Sequence, residues 1–434
     1  MEENKIGYRD IVKQREYLKT VIAAVINRLG DSIDTIAFAW LVYQITQSAA
    51  WSAIIFGVNR IPTIFLQPFA GAAVEGKNKK AIMIITDVIR GICVGIVATT
   101  FLAGILNQWI MLGCTIVISS AEAFRNPASS ALLPKLLDKK YYSFGISFNT
   151  SLCSIMELVG LGLAGVIISL FSISTAIYID MVTFFLSALI ILTVRTKEGQ
   201  LTKTKINAKE YIDSLKGGFL YLKEKAFLRY MVSIAVFLNA ILVPLNSLQA
   251  PLVSEVLHSN EIMLSVMNLG LTLGMIVGAV VYPYISTVIS RYAIVCFGGY
   301  SIGVYFISLV ILGKFIHVAI LNFIIVAIVS FILGLAIALV NTYANIEFMK
   351  VIEEGYIARV SAIMSAGCVA AMPVVSFIIS GMTKLASTGK IFLVVGLLDF
   401  LVCLVLFGKK RFTAMNEQNE RSENEGQISD SEAC

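Results

Sequence analysis

Residues Gly71–Lys80 read GAAVEGKNKK, and two incompatible proteins can be built around them. The first seven residues match G-x-x-x-x-G-K, the spacing of a phosphate-cradling loop. In such a loop glycines admit backbone N–H groups to the phosphates, the lysine meets the β/γ oxygens, and a following Ser or Thr holds Mg²⁺. Here Asn78 stands where that hydroxyl is required. A phosphate loop also joins a buried strand to a soluble helix, whereas this stretch lies between two long apolar runs. Nucleotide binding is rejected, and the stretch is expected to be a turn between two membrane-spanning helices.

Composition supports the second reading. Of 434 residues, 57% are hydrophobic and 14% charged, and mean hydropathy is +0.83; soluble globular chains are about one-quarter charged. A helix needs about 20 residues to cross about 30 Å of hydrocarbon. Twelve apolar runs are long enough: 17–43, 50–74, 80–105, 109–134, 143–170, 173–194, 229–256, 260–286, 291–313, 318–346, 357–385 and 389–408. Met1–Glu16 is polar and the first run is too long and too charged for a secretory leader, so none is expected. His258 and His317 fall in predicted loops, six of the seven cysteines lie inside apolar runs, and no C-x-x-C spacing occurs. No metal site, disulfide framework, cofactor or catalytic constellation is indicated, so an enzyme is not expected.

Orientation follows from the basic residues. With the N-terminus cytoplasmic, 27 of the 34 Lys and Arg fall in cytoplasmic tails, loops or span ends. Only Lys314, Lys384 and Lys390 fall on the other side, and the rest lie within spans. Both termini are therefore expected in the cytoplasm of a multi-pass plasma-membrane protein. The net charge of +6 is accounted for by this bias and calls for no nucleic-acid partner.

The longest internal polar stretch lies between spans six and seven, where KINAKEYIDSLKGGFLYLKEK (205–225) reads as a charged helix against the membrane surface. The expected organisation is a six-helix bundle over 1–194, a cytoplasmic linker over 195–228, a second bundle over 229–408 and a disordered acidic tail over 409–434. Gly270, Gly274 and Gly278 on span eight, and Gly160, Gly162 and Gly165 on span five, have the spacing that lets helix backbones approach.

On this layout Gly71–Lys80 resembles the G-x-x-x-D-R-x-G-R-K signature that the major facilitator superfamily carries between its second and third spans. Gly71 matches the glycine, Glu75 the aspartate, and Lys79 with Lys80 the basic pair, while Gly76 and Asn78 depart from it. NRLGDSIDTIAFAWLVYQITQSA (27–49), EAFRNPASSALLPKLL (122–137), LYLKEKAFLRYMV (220–232) and MKVIEEGYIARVSAIMSA (349–366) resemble the macrolide-efflux-type branch of that superfamily. GLGLAG (160–165) has Leu161 where the antiporter motif of the family has proline.

The resemblance implies an all-α protein of twelve transmembrane helices in two pseudo-symmetric six-helix bundles, working by alternating access. It implies a drug:proton antiporter whose partners are a small amphipathic molecule, protons and the lipid bilayer, with no ATP, acting as a monomer. Members of the branch also export siderophores and peptide-like metabolites, so an endogenous metabolite is the alternative cargo. A non-transporting sensor or scaffold on the same fold is the alternative outside transport.

Ionisable residues inside a membrane cost about 2.5–3.5 kcal/mol each and are functional candidates. Span one carries Arg28, Asp31 and Asp34 at intervals of three, hence nearly on one face. Asp31, Asp34, Glu122 and Glu157 are the proton-coupling candidates, with Arg28 and Arg60 as their counter-charges. Structural ion pairing is the competing role for each. Gly71, Glu75, Lys79, Lys80, Asp87 and Arg90 form a candidate conformational latch in which the lysines pair with acids on neighbouring helix ends; a positive-inside anchor is its alternative. Arg125 is expected to be an interfacial anchor. The second half offers essentially Asp399 as a charge, and Asn239, Asn246, Gln249, Asn268 and Asn341 as polar groups for a substrate cavity.

Overall fold

The computed structural model describes residues 11–75, 77–196, 223, 225–315, 318–352 and 357–406. Gly76, most of the 195–228 linker and the tail from 407 lie outside the described residues. Among those described there is no strand, and the long helices number twelve. In the first half they are α1 (Arg15–Thr46), α2 (Ala49–Glu75), α3 (Lys79–Leu102), α4 (Gln108–Leu136), α5 (Tyr142–Leu170) and α6 (Ile173–Leu192). In the second they are α7 (Ala226–Ile241), α8 (Glu261–Val288), α9 (Arg291–Phe315), α10 (Ala319–Val351), α11 (Ile357–Met382) and α12 (Thr388–Leu406).

Local chemistry sets the turns. Asn78 caps α3, its side-chain oxygen accepting from the Ala81 N–H at 2.7 Å. The asparagine that spoils the phosphate loop is thus the residue that starts the next helix. Asn107 caps α4 by accepting from Trp109 and Ile110, and Ser172 caps α6 by accepting from Thr175. Gly104 takes φ +70 in the turn between α3 and α4. Span seven is discontinuous, as Pro244 and Pro251 break its continuation into Val243–Ser247, Gln249–Pro251 and a π-turn over Leu252–Val256.

The chain forms two compact units, the first holding α1–α6 with 249–253 and 259–265, the second holding 254–258 and most of α7–α12. Their division in the chain falls in the linker outside the described residues. Within the first unit α3 packs on α6 and α4, α1 on α6 and α5, and α2 on α4. The second unit repeats the scheme six helices later: α9 packs on α12 and α10, and α7 on α11. α8 lies against α10 as α2 lies against α4. There an added Cβ on Gly270 would come within 2.9 Å of the Ala327 carbonyl, and one on Gly278 within 2.7 Å of Leu335. This repeated pairing is the pseudo-symmetry of two six-helix bundles.

Nine of the described helical stretches are long and apolar enough to cross a membrane. α1 and α4, which carry several of the charges, fall below that composition. On α10, Ile320, Ile324, Ile328 and Ile332 are all exposed at intervals of four, a stripe suited to lipid rather than water.

The basic residues at one end of the first unit act as helix caps. Lys80 Nζ donates to the carbonyls of Leu192 and Val194 at 2.7 and 2.8 Å, and Lys19 Nζ donates to that of Thr193 at 3.0 Å. Both lysines close the C-terminus of α6, where unpaired carbonyls and the helix dipole attract cations. Lys80 therefore meets carbonyl oxygens in place of the acids expected for it. Lys79 is buried. Gly71 and Glu75 belong to α2, but their surroundings lie outside the described residues.

Candidate functional site: a buried charge cluster in the first unit

Four helices bring acids and arginines together inside the first unit. Asp87 on α3 is fully buried; it pairs with Arg125 of α4 and accepts from Ser187 Oγ of α6 at 2.7 Å. Asn27 of α1 closes the group, its side-chain oxygen accepting from Arg125 at 2.6 Å and its amide donating to the Thr183 carbonyl at 3.2 Å. Both carboxylate oxygens of Asp87 have partners, which is what a buried ion pair needs in order to persist. Asp87 is part of the bundle's interior, away from the turn at Lys80, and Arg125 is its half-buried ion-pair partner in place of an interfacial anchor.

One turn further along α3, Arg90 is 6% exposed and donates to Asp31 Oδ1 of α1 at 2.8 Å. Its guanidinium lies over the Phe184 ring of α6, 4.1 Å from the centroid. Arg90 also stands in the field of Glu122, Asp180 and Asp87, and Asp34 in that of Asp31 and Arg90. The Arg90 Nε has no hydrogen-bond partner, and among the described residues no hydrogen bond reaches the Asp34 or Glu122 carboxyl. Five carboxyls, Asp31, Asp34, Asp87, Glu122 and Asp180, thus surround two guanidiniums, Arg90 and Arg125.

One expected counter-charge meets one of the four candidate acids: Arg28 pairs with Glu157 of α5 at 2.5 Å, although it shares a helix with Asp31 and Asp34. Arg60 lies over the Phe56 ring at 5.5 Å, with no ion pair among the described residues. Arg90, assigned from sequence to the latch, is the cation that meets Asp31. A helix face spans roughly 100°, so residues three apart can still address different neighbours.

Asp180 is the member that the sequence reading overlooked. It is 1% exposed on α6 and accepts from Thr183 Oγ1 at 3.3 Å. The signal was present: Asp180, Thr183 and Ser187 are spaced by three and four on an otherwise apolar span, which puts them on one face. Gly30 of α1 makes room for them, since a Cβ there would meet Thr183 and Asp180.

The second unit is poorer in charge but is not limited to Asp399. Asp399 is fully buried and accepts from the Gly303 N–H at 2.9 Å, tying α12 to α9. Glu347, just beyond the expected tenth span, is 4% exposed and lies 3.7 Å from Arg291. Asn239 and Asn246 donate back to Ala235 and Leu242 of their own segment. Gln249 and Asn268 are half-buried and Asn341 is exposed. None of these five lines the cavity of about 320 Å³ that this unit holds between α9 and α10, bounded by Phe297, Tyr300, Val304 and Leu333 among others.

Two repeated bundles of long apolar helices, one of them holding a charge cluster, define a multi-pass membrane protein with two pseudo-symmetric halves. A family model described as transmembrane secretion effector matches residues 12–430, and the chain belongs to that family of the major facilitator superfamily. An uncharacterised transporter of Bacillus subtilis, YkuC, is 25% identical over 51% of this chain and 53% of its own length, so the chain matches about half of that relative. Macrolide efflux protein A of Enterococcus faecalis is 22% identical over 72% of this chain and 95% of that protein. The staphyloferrin A transporter of Staphylococcus aureus is 24% identical over 42% and 46%. Among solved structures, the nucleoside transporter NupG superposes with a TM-score of 0.72, at 11% identity, over 92% of this chain and 98% of that one. The chain has the major facilitator fold, and the family and neighbours it matches are transporters rather than enzymes.

Proposed function

We propose that this transporter exports amphipathic small molecules, macrolides first among them, from the cytoplasm across the cell membrane in exchange for protons. The observation that carries the reading is the surplus of acids over arginines around Arg90. An excess of carboxyls within a helical bundle, two of them fully buried, is the composition of a site that takes up cations, protons included. Arg90 is held through Asp31 on one side while its Nε is unpaired, and Asp34, Glu122 and Asp180 are alternative acceptors nearby. A proton arriving on Asp31 neutralises one partner of the pair and lets the guanidinium turn to another acid. Because these groups sit on α1, α3, α4 and α6, that exchange biases the packing of four helices. The relatives named for macrolide efflux support export of this kind, and the one named as a staphyloferrin A transporter supports a small-molecule cargo.

The test is accumulation of a radiolabelled macrolide in cells stripped of their own pumps, with and without this chain, before and after a proton uncoupler. Lower accumulation that the uncoupler abolishes is expected. Unchanged accumulation in cells whose membranes demonstrably contain the protein rejects macrolide export and directs the search to siderophores and other metabolites.

A further inference from the structure

The first unit holds a second feature that the coupling scheme does not use, a cavity of about 360 Å³ toward its basic end. α1 contributes Thr20 and Ala24 to it, α3 Met83, α4 Ser129 and α5 Asn149. On every one of these helices the next turn inward carries a member of the charged groups. Ala24 is followed by Asn27 and Arg28, Met83 by Asp87, Ser129 is preceded by Arg125, and Asn149 leads through Cys153 to Glu157. Four independent helices thus pass from the cavity wall to charge in one or two turns.

On α5 the Cys153 thiol donates to Asn149 Oδ1 at 3.8 Å, and Cys153 stands in the field of Arg28, Arg125 and Glu157. The hydroxyl groups of Thr20, Ser129 and Ser130 and the amide of Asn149 give water the polar partners it needs in a space this size. Of the lining residues, Ser130 and Ile146 are exposed, so the cavity is open along that edge.

We propose that this cavity is an aqueous vestibule that carries protons between the solvent at the basic end and the charged groups of the first unit. The inference rests on the proton-coupled reading above, and it adds where the proton enters and leaves. The positive-inside rule puts the end bearing Lys19 and Lys80 in the cytoplasm. Protons then leave on the cytoplasmic side through the interior of one bundle, along a route that the exported molecule does not share.

The test uses the full chain with Cys153 as its sole cysteine and a membrane-impermeant cationic methanethiosulfonate as the probe, in inverted and right-side-out vesicles. Reaction of Cys153 in inverted vesicles is expected, slowed by about tenfold when Ala24→Leu fills the throat, as a barrier higher by about 1.4 kcal/mol gives. Equal rates with and without Ala24→Leu, reaction only in right-side-out vesicles, or no reaction in protein that remains monodisperse overturns the vestibule. Uncoupler sensitivity of macrolide export is measured on the same preparations. Sensitive export with an inert Cys153 sinks the vestibule and leaves proton coupling standing. Insensitive export with a reactive Cys153 sinks the proton role and leaves a water-filled pocket.

Discussion

Asp87 and Asp34 are both acids inside spanning helices, and their surroundings give them opposite parts. Asp87 is enclosed by Arg125 and Ser187, so both of its carboxylate oxygens have partners. Removing one partner of a buried pair leaves the other uncompensated, at a cost of about 3–5 kcal/mol. Asp87→Ala is therefore expected to lower the thermal midpoint sharply, or to abolish recovery of monodisperse protein, as read by fluorescence-detected size exclusion. Asp34 has no such partners, so Asp34→Asn should leave the midpoint nearly unchanged while uncoupler-sensitive export is lost. A stable Asp87→Ala variant together with an unfolded Asp34→Asn variant would reverse the two assignments. The sequence showed which residues were out of place in lipid but not whom they meet. Arg28 and Asp31 sit three apart on α1, yet one turns to Glu157 of α5 and the other to Arg90 of α3. That choice depends on how α1 is rotated against two neighbours, which spacing along one helix leaves open. Asp180 was readable from its spacing with Thr183 and Ser187, and was lost against the apolarity of its span.

Elements repeat the lesson at the turns. Gly71–Lys80 was legible as a helix–turn–helix because apolar runs flank it, and Asn78 does what a residue with a short side-chain acceptor does at a helix start. The target of Lys80 was not legible, because carbonyls at the end of a helix 112 residues away leave no mark on residue type. Lys80→Met removes two charge-assisted hydrogen bonds from the C-terminus of α6, and a loss of about 1 kcal/mol is expected, reduced because the site is partly exposed. Lys80→Arg should restore most of it; a thermal-shift series over the three proteins decides. The α8 glycines make a stronger case. A Cβ on Gly274 would run into the Phe331 carbonyl of α10, backbone that cannot swing aside. Gly274→Leu is expected to cost about 1–3 kcal/mol through forced separation of α8 from α10, whereas the same change at Gly113, with nothing within 4 Å, should be nearly silent. Equal midpoints for the two variants would contradict the packing.

The whole molecule repeats its packing scheme but not its charges. α3 with α6 recurs as α9 with α12, and α1 with α5 as α7 with α11, while the clustered acids and arginines stay in the first unit. The buried acid of the second unit has a different neighbourhood. Asp399 accepts from a backbone N–H and a cysteine thiol where Gly303 and Gly396 bring α9 and α12 close together. Its geometry is that of a clasp between two helices, since a carboxylate that accepts a buried N–H holds position more than it exchanges partners. If coupling belongs to the first unit, Asp399→Asn keeps the shape of the side chain and one acceptor for Gly303. Export should then remain uncoupler-sensitive, with a modest fall in thermal midpoint. Asp34→Asn, made in the same background, should show the converse. Measuring both variants in one macrolide-accumulation assay, with the uncoupler and with the thermal midpoint as a control for folding, separates the two units. A folded Asp399→Asn protein whose export no longer responds to the uncoupler would place coupling in the second unit, and the division of labour drawn from the charge distribution would be wrong.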